Sequence, residues 1–128
     1  MIPYGKQDID LKDIESVIDV LQSDFLTQGP KVPEFEESVQ KYTESKYAFA
    51  MNSATSALHV ACMALGLSEG DLLWTSPVTF VASANVALYC KADIDFVDID
   101  RNTFNMCPIK LEEKLKDAVK TNKIPKII

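Results

Sequence analysis

The sequence predicts an α/β fold in which a mainly parallel sheet is flanked by helices. Short apolar runs at 47–51, 72–75, 94–99 and 126–128 are predicted to be buried strands. Segments with helical spacing of apolar residues separate them, and this alternation is typical of a parallel sheet covered on both faces. A content of 47% hydrophobic and 25% charged residues also favours a globular protein over a disordered one.

Residues 1–45 are predicted to hold two helices and the loop between them. Asp10 can cap the first helix, and Ile9 can pack onto Ile14 across its first turn. Gly29 and Pro30 break regular structure in the loop, and Pro33 suits the first position of the second helix. The apolar positions predict one buried face on each helix: Ile14, Val17, Ile18 and Leu21 on the first, and Phe35, Val39 and Tyr42 on the second.

Residues 46–128 are predicted to begin the sheet. After the run at 47–51, helices are expected at 57–65, where Gly66 ends the helix, at 80–89, and from Pro108 onward. The last three residues resemble the start of a further strand. Since a finished sheet edge is normally followed by a segment that covers or terminates it, we expect the chain to be truncated.

Charge and composition exclude several classes of function. The net charge of −6 and a pI near 4.7 argue against a nucleic-acid or anionic-membrane surface, because both require a basic face. No apolar run approaches the roughly 18 residues of a membrane span. Three widely spaced cysteines and a single histidine do not form a zinc pattern, and reduced cysteines among apolar residues favour the cytoplasm.

His59 and the aspartates near residue 98 are predicted to be structural. A lone histidine on an apolar helix is more often a core residue than a ligand. Asp95 and Asp98 have opposite parity along a strand and should point to opposite faces, so with Asp100 we interpret them as solvated strand-end residues without a metal.

The most informative segment is Met51–Leu58, which places a strand end, a small-residue turn and a helix N-terminus within eight positions. Free backbone N–H groups and the helix dipole make such a turn an anion site, although Ser53 or Thr55 could simply cap the helix. None of the four glycines lies in this turn. Because the glycine patterns of dinucleotide and nucleoside-triphosphate loops are absent, a single phosphate monoester, as in pyridoxal phosphate, suits the turn better.

Four motifs in order resemble the DegT-type sugar-nucleotide aminotransferases, a branch of the fold type I pyridoxal phosphate enzymes. They are Leu26–Pro30 with Phe35–Glu36, Asn52–His59, Ser76–Asn85 and Phe96–Asp100. The resemblance implies that residues 1–128 are the N-terminal segment of the large domain, with helices and substrate loop at 1–45 and the start of the sheet at 46–128. The closest likeness is to the branch that aminates the C4 keto group of a UDP-linked sugar, on the way to pseudaminic-acid-type sugars.

The resemblance also implies roles for particular residues. The cofactor phosphate would be held by Ala54, Thr55 and Ser56, and the pyridine ring would stack on Phe80, which from spacing alone would be ordinary core. The nucleotide-sugar pocket would be lined by Tyr4, Asp24, Phe25, Leu26 and Thr27. Many relatives have glycine where this chain has Ala54, and alanine still allows close backbone approach.

A transaminase also needs a lysine that holds the cofactor covalently and a carboxylate facing the pyridine nitrogen. The resemblance places both beyond Ile128, so no catalytic residue is expected in this chain, and the intact enzyme is expected to be a homodimer that uses glutamate as donor. Three alternatives stay open: a relative in which the lysine is replaced and the cofactor drives dehydration, a non-catalytic phosphate- or nucleotide-binding module, and, disfavoured by the missing glycines, an NAD-type domain.

Overall fold

The computed structural model describes residue 2 and residues 4–128. It contains two compact units, Met1–Ala50 and Met51–Ile128. Among the described residues, the first unit holds two helices and irregular segments, and the second holds the sheet with three helices.

The first unit contains helices α1 (Leu11–Leu21) and α2 (Lys31–Thr43). The capping prediction for α1 is confirmed, because the Asp10 carboxylate accepts from the Lys12 and Asp13 N–H groups, and the Asp13 side chain accepts from the Asp10 N–H. Helix α2 begins at Lys31, so Pro33 is its third residue rather than its first. Both predicted buried faces are wrong within this unit, since neither helix contains a buried residue.

The strand predicted at 47–51 is absent from the structure, which shows an irregular segment there. A strand exists only where a neighbouring strand accepts and donates its hydrogen bonds, and none of the described residues supplies that neighbour. The Ala50 N–H is instead bound by a side chain, at 2.8 Å from Glu36 Oε1. Tyr47 and Phe49 are exposed, at 66% and 76%.

The second unit runs α3 (Ala54–Ala64), β1 (Leu72–Thr75), α4 (Ala82–Tyr89), β2 (Asp93–Phe96) and α5 (Pro108–Thr121). Strands β1 and β2 are parallel, with Leu73 opposite Ile94. Ile127 forms a parallel bridge to Leu73 on the other side of β1, as the sequence predicts for the last residues. The predicted parallel α/β class is therefore confirmed, and Pro108 opens α5 as expected.

Helix and strand bounds in this unit differ from prediction by more than one residue in three places. Helix α3 begins at Ala54, three residues earlier than predicted, because Ser53 caps it. Helix α4 begins at Ala82 rather than at Phe80. Strand β2 ends at Phe96, and the chain then forms a loop closed by an antiparallel bridge between Ile99 and Met106.

Helices cover both faces of this small sheet. Leu73 faces the first cluster, which contains Cys62 of α3 together with Val86 and Ala87 of α4. Trp74, the next residue, faces the opposite cluster. That second cluster consists of Trp74, Val97 and Ala118, with Leu72, Met106, Leu111 and Leu115 packed against it. Successive residues of one strand thus enter opposite cores, as the pleat of a strand requires.

The prediction that Asp95 and Asp98 point to opposite faces is wrong. Asp95 pairs with Lys114 at 2.7 Å, and Asp98 pairs with Lys110, one turn away on the same helix α5. The alternation rule fails because β2 ends between the two residues, so Asp98 is no longer on a strand. Hydrogen bonds from Lys114 and Lys110 hold the pKa values of these two carboxyls below their usual range.

The three cysteines are free thiols, buried at Cys62 and Cys107 and half-buried at Cys90. Burial raises the pKa of the Cys62 thiol, which keeps it protonated as a small core residue. His59 is half-buried and lies edge-on to Tyr89 with ring centroids 5.3 Å apart, so it contributes to the packing of α3 against α4. Among the described residues, no group of three or more His, Cys, Asp or Glu side chains could hold a metal ion.

Candidate functional site

The carboxyl edge of the sheet is where the second unit presents helix N-termini. Helix α4 connects the carboxyl end of β1 to the amino end of β2, and α5 leads away from the carboxyl end of β2. Both therefore begin at this edge. Helix α3 runs toward the amino end of β1 and packs against α4, so its N-terminus points the same way. In open α/β sheets this edge is the usual place for a ligand.

The N-terminus of α3 has open hydrogen-bond donors. Ser53 is extended, and its hydroxyl oxygen accepts from the Ser56 N–H at 3.2 Å, while the Ala57 N–H donates to the Ser53 carbonyl. The capping alternative is therefore realised at Ser53. The N–H groups of Ala54 and Thr55 have no acceptor among the described residues.

These donors fit a phosphate group. Ala54 is exposed and Thr55 is half-buried, and their N–H groups lie where the helix dipole is positive. The Thr55 hydroxyl adds a third donor. The Ser56 N–H is already bound by the Ser53 hydroxyl, and the Ser56 hydroxyl accepts from the Ser53 hydroxyl at 3.0 Å. The open N–H donors of the predicted cradle are thus those of Ala54 and Thr55, and phosphate binding there stays a prediction.

Phe80 lies in the loop between β1 and α4, on the same edge of the sheet. Its side chain is 73% exposed, so it is available to stack on a flat ring and is not the core residue that its spacing alone suggests. The chain around it is held by the Phe80 carbonyl, which accepts from the Ser83 N–H, and by the 3.1 Å contact between the Thr79 and Ser83 hydroxyls.

The residues predicted to line a sugar pocket belong to the first unit. Phe25 and Leu26 line a cavity of about 260 Å³ in the loop between α1 and α2. Asp24 and Thr27 are exposed and are not part of its wall, and Tyr4 is fully exposed. The cavity also involves Asp19, Val20, Ser23, Gln28, Gly29, Pro30, Lys31 and Val32. Sequence reasoning missed Asp19, Val20, Lys31 and Val32 because they lie on the helix ends that flank the loop.

Six of the twelve lysines form ion pairs, which gives them a structural explanation. One of them is Lys126, whose ammonium donates to the Gly66 carbonyl and pairs with Asp71. No geometry in the described residues marks a lysine as catalytic. Among those residues, moreover, none of the helices combines the length and apolar character needed to cross a membrane.

A parallel α/β sheet with open helix N–H donors and an exposed aromatic ring at its carboxyl edge defines a class of proteins that can hold a flat, phosphorylated ligand. Comparison with known proteins gives the particular family. The chain belongs to the DegT/DnrJ/EryC1/StrS aminotransferase family, whose profile matches residues 7–124. The resemblance stated from the motifs is confirmed.

Curated and solved relatives support this assignment. A UDP-4-amino-4,6-dideoxy-N-acetyl-beta-L-altrosamine transaminase of Campylobacter jejuni is 47% identical over 115 residues, covering 90% of this chain and 30% of that protein. A sugar aminotransferase of Streptococcus pneumoniae in its PLP-form superposes with a TM-score of 0.83 at 35% identity, covering 88% of this chain and 29% of the other. The cofactor prediction, pyridoxal phosphate, is confirmed for the family.

Two further solved structures bear on the choice of reaction. Helicobacter pylori PseC, an aminotransferase involved in the biosynthesis of pseudoaminic acid, has a TM-score of 0.81 and 34% identity, covering 87% of this chain and 30% of that chain. A GDP-4-keto-6-deoxy-D-mannose-3-dehydratase of E. coli with bound hydrated PLP also has a TM-score of 0.81, at 27% identity and the same coverage. The chain spans about 30% of the length of the relatives it matches.

Proposed function

We propose that the whole protein is a pyridoxal-phosphate-dependent aminotransferase that transfers an amino group, with glutamate as donor, to the C4 keto group of a UDP-linked deoxy-keto-sugar. The observation that carries the proposal is the 47% identity to a UDP-sugar transaminase over 90% of this chain. The open donors of Ala54 and Thr55 and the exposed ring of Phe80 support it. A place in the synthesis of pseudaminic-acid-type sugars, a cytoplasmic location and a homodimer belong to the same proposal.

In this mechanism residues 1–128 bind and orient the cofactor and the nucleotide-sugar. The Ala54 and Thr55 N–H groups and the Thr55 hydroxyl would donate hydrogen bonds to the cofactor phosphate, and Phe80 would stack on the ring. The chemistry that pyridoxal phosphate supplies when bound is the withdrawal of electrons from the carbon that carries the transferred nitrogen. The α1–α2 loop, with Tyr4, holds the nucleotide-sugar. We assign no catalytic lysine within residues 1–128.

The test uses the protein expressed from its natural gene. It is incubated with pyridoxal phosphate, reduced with borohydride and measured by intact mass, and its turnover of a UDP-linked 4-keto-sugar with glutamate is followed. We expect one reduced cofactor adduct on one lysine, a 4-amino sugar, and 2-oxoglutarate in equal amount. No adduct and no transfer of nitrogen would overturn the proposal.

Dehydration is the second candidate, favoured by the likeness to the E. coli dehydratase. The same incubation separates the two reactions, because dehydration removes water from the sugar and adds no nitrogen to it. A product lighter by one water, formed without a reducible lysine adduct, would select dehydration. A non-catalytic binding module predicts cofactor or nucleotide binding without either product.

A further inference from the structure

The α1–α2 loop encloses its cavity by folding tightly on itself. Its walls are mostly apolar, with Val20, Phe25, Leu26, Pro30 and Val32 among the lining residues. Ser23 organises the turn, since its hydroxyl donates to the Val20 carbonyl and accepts from the Phe25 N–H. The cavity therefore depends on local loop geometry within the first unit.

At Gly29 the loop passes close to Phe25. A Cβ atom built on Gly29 would lie 2.8 Å from the Phe25 Cβ and 3.3 Å from the Phe25 carbonyl oxygen. Rotation about χ1 cannot move either atom, because both are fixed by the Phe25 backbone. Any side chain at this position must therefore displace the backbone of the loop.

The residues on either side of Gly29 leave the backbone little freedom for such a displacement. Gln28 is already in the left-handed region, with φ of 52°, and Pro30 follows with φ of −68°. Left-handed backbone is sparsely populated for residues other than glycine, and proline fixes its own φ. A shift at position 29 is therefore transmitted to Phe25 and Leu26 on the cavity wall.

We propose that Gly29 is a positioning residue of the nucleotide-sugar pocket: its missing side chain lets the loop close on Phe25 and sets the shape of the cavity. This inference rests on the proposed function, because it assigns the cavity to the sugar-nucleotide substrate. Gly29 itself performs no chemistry. It acts through the placement of Phe25 and Leu26.

The test compares steady-state kinetics of Gly29→Ala and wild type in the protein expressed from its natural gene. We expect the KM for the UDP-linked keto-sugar to rise at least tenfold, while kcat and the affinity for pyridoxal phosphate change less than twofold. Gly5→Ala is the matched control, since a Cβ at Gly5 meets nothing within 4 Å. A folded Gly29→Ala protein with wild-type KM would overturn the inference and leave the proposed function standing.

A double-mutant cycle tests whether the contact with Phe25 causes the rise in KM. In a Phe25→Gly background the 2.8 Å contact has no partner atom, so Gly29→Ala should add less than a threefold rise in KM. Equal effects of Gly29→Ala in both backgrounds would contradict the steric explanation. If Gly29→Ala does not fold, Gly29→Ser in the Phe25→Gly background serves as the second variant, with the same small rise expected. Wild-type protein that turns over no nucleotide-sugar would overturn the proposed function, and this inference with it.

Discussion

The two units differ in what covers their apolar residues. In the second unit Trp74, Val86 and Val97 are each at most 2% exposed, because helices cover both faces of the sheet. In the first unit α1 and α2 each have an apolar face, yet Ile14 and Phe35 are 48% and 60% exposed. Periodicity therefore predicts which face of a helix is apolar, whereas burial depends on a partner that periodicity does not name.

The difference predicts where a substitution costs stability. Trp74→Ala should lower the free energy of unfolding by about 3–5 kcal/mol, because it removes a fully buried ring from the core against α5. Phe80→Ala is the control in the cofactor-free protein, where loss of an exposed ring should change stability by less than about 0.5 kcal/mol. Urea denaturation measures both, and equal losses would contradict the core assignment.

A smaller effect is expected at Lys114, which connects α5 to the same core. Its ammonium lies 4.8 Å from the centre of the Trp74 ring and donates to the Phe96 carbonyl at 2.6 Å. Lys114→Met should lower the free energy of unfolding by about 1–2 kcal/mol. Lys116→Met removes only an exposed pair with Glu112 and should cost about 0.5 kcal/mol or less. If the two variants unfold at the same urea concentration, the contacts of Lys114 with Trp74, Phe96 and Asp95 together contribute no more than an exposed ion pair.

In the first unit, capping should matter more than packing. Asp10→Ala removes the acceptor for two N–H groups of α1 and should cost about 1 kcal/mol. Asp8→Ala, just outside the capping box, is the control. Hydrogen exchange of residues 11–21 measures the effect locally, and unchanged protection in Asp10→Ala would show that the capping box does not hold this helix.

Acid should destabilise the second unit. Hydrogen bonds from Lys126, Lys114 and Lys110 lower the pKa values of Asp71, Asp95 and Asp98. A carboxyl with a lowered pKa in the folded state contributes stability above its unfolded value of about 3.9, and loses it as pH falls through the folded value. The urea concentration at the midpoint of unfolding should therefore decrease when the pH is lowered below about 4. Asp71→Asn should reduce that pH dependence, and an unchanged profile would exclude this pair as a cause.

Local signals in the sequence predict most of the second unit. Strand β1, the Pro108 start of α5 and the parallel bridge of Ile127 follow from apolar runs and proline placement. The strand expected at 47–51 fails because an apolar run specifies a strand only where another strand pairs with it. The pairing of Asp98 with Lys110 could not be predicted from the alternation of residues along a strand. That rule holds only within a strand, and the sequence does not show that β2 ends before Asp98.

The candidate site shows the same division. The small-residue turn and helix start at 52–56 predict an anion site. The structure adds that the N–H groups of Ala54 and Thr55 are open, whereas the Ser56 N–H is bound by the Ser53 hydroxyl. Phe80 needed the family resemblance, because spacing alone assigns it to the core. The close approach of Gly29 to Phe25 carries no sequence signal beyond the Gly-Pro pair, since it depends on the three-dimensional path of the loop.

The most direct test of the phosphate cradle removes one backbone donor without disturbing the helix. Ala54 is the first residue of α3, where proline is well accommodated, and Ser53 before it is extended, as the residue before proline must be. Ala54→Pro therefore replaces this N–H group with a ring methylene and keeps the helix start. Leu11→Pro is the matched control, because Leu11 is the first residue of α1 and Asp10 before it is also extended.

The measurement is the ratio of the affinities for pyridoxal phosphate and for pyridoxal, which lacks the phosphate, in the protein expressed from its natural gene. A hydrogen bond to a charged group is worth about 1.5 kcal/mol or more, so the preference for pyridoxal phosphate should fall about tenfold in Ala54→Pro. It should be unchanged in Leu11→Pro. A folded Ala54→Pro protein that keeps the wild-type preference would contradict the assignment of the α3 N-terminus as the phosphate site.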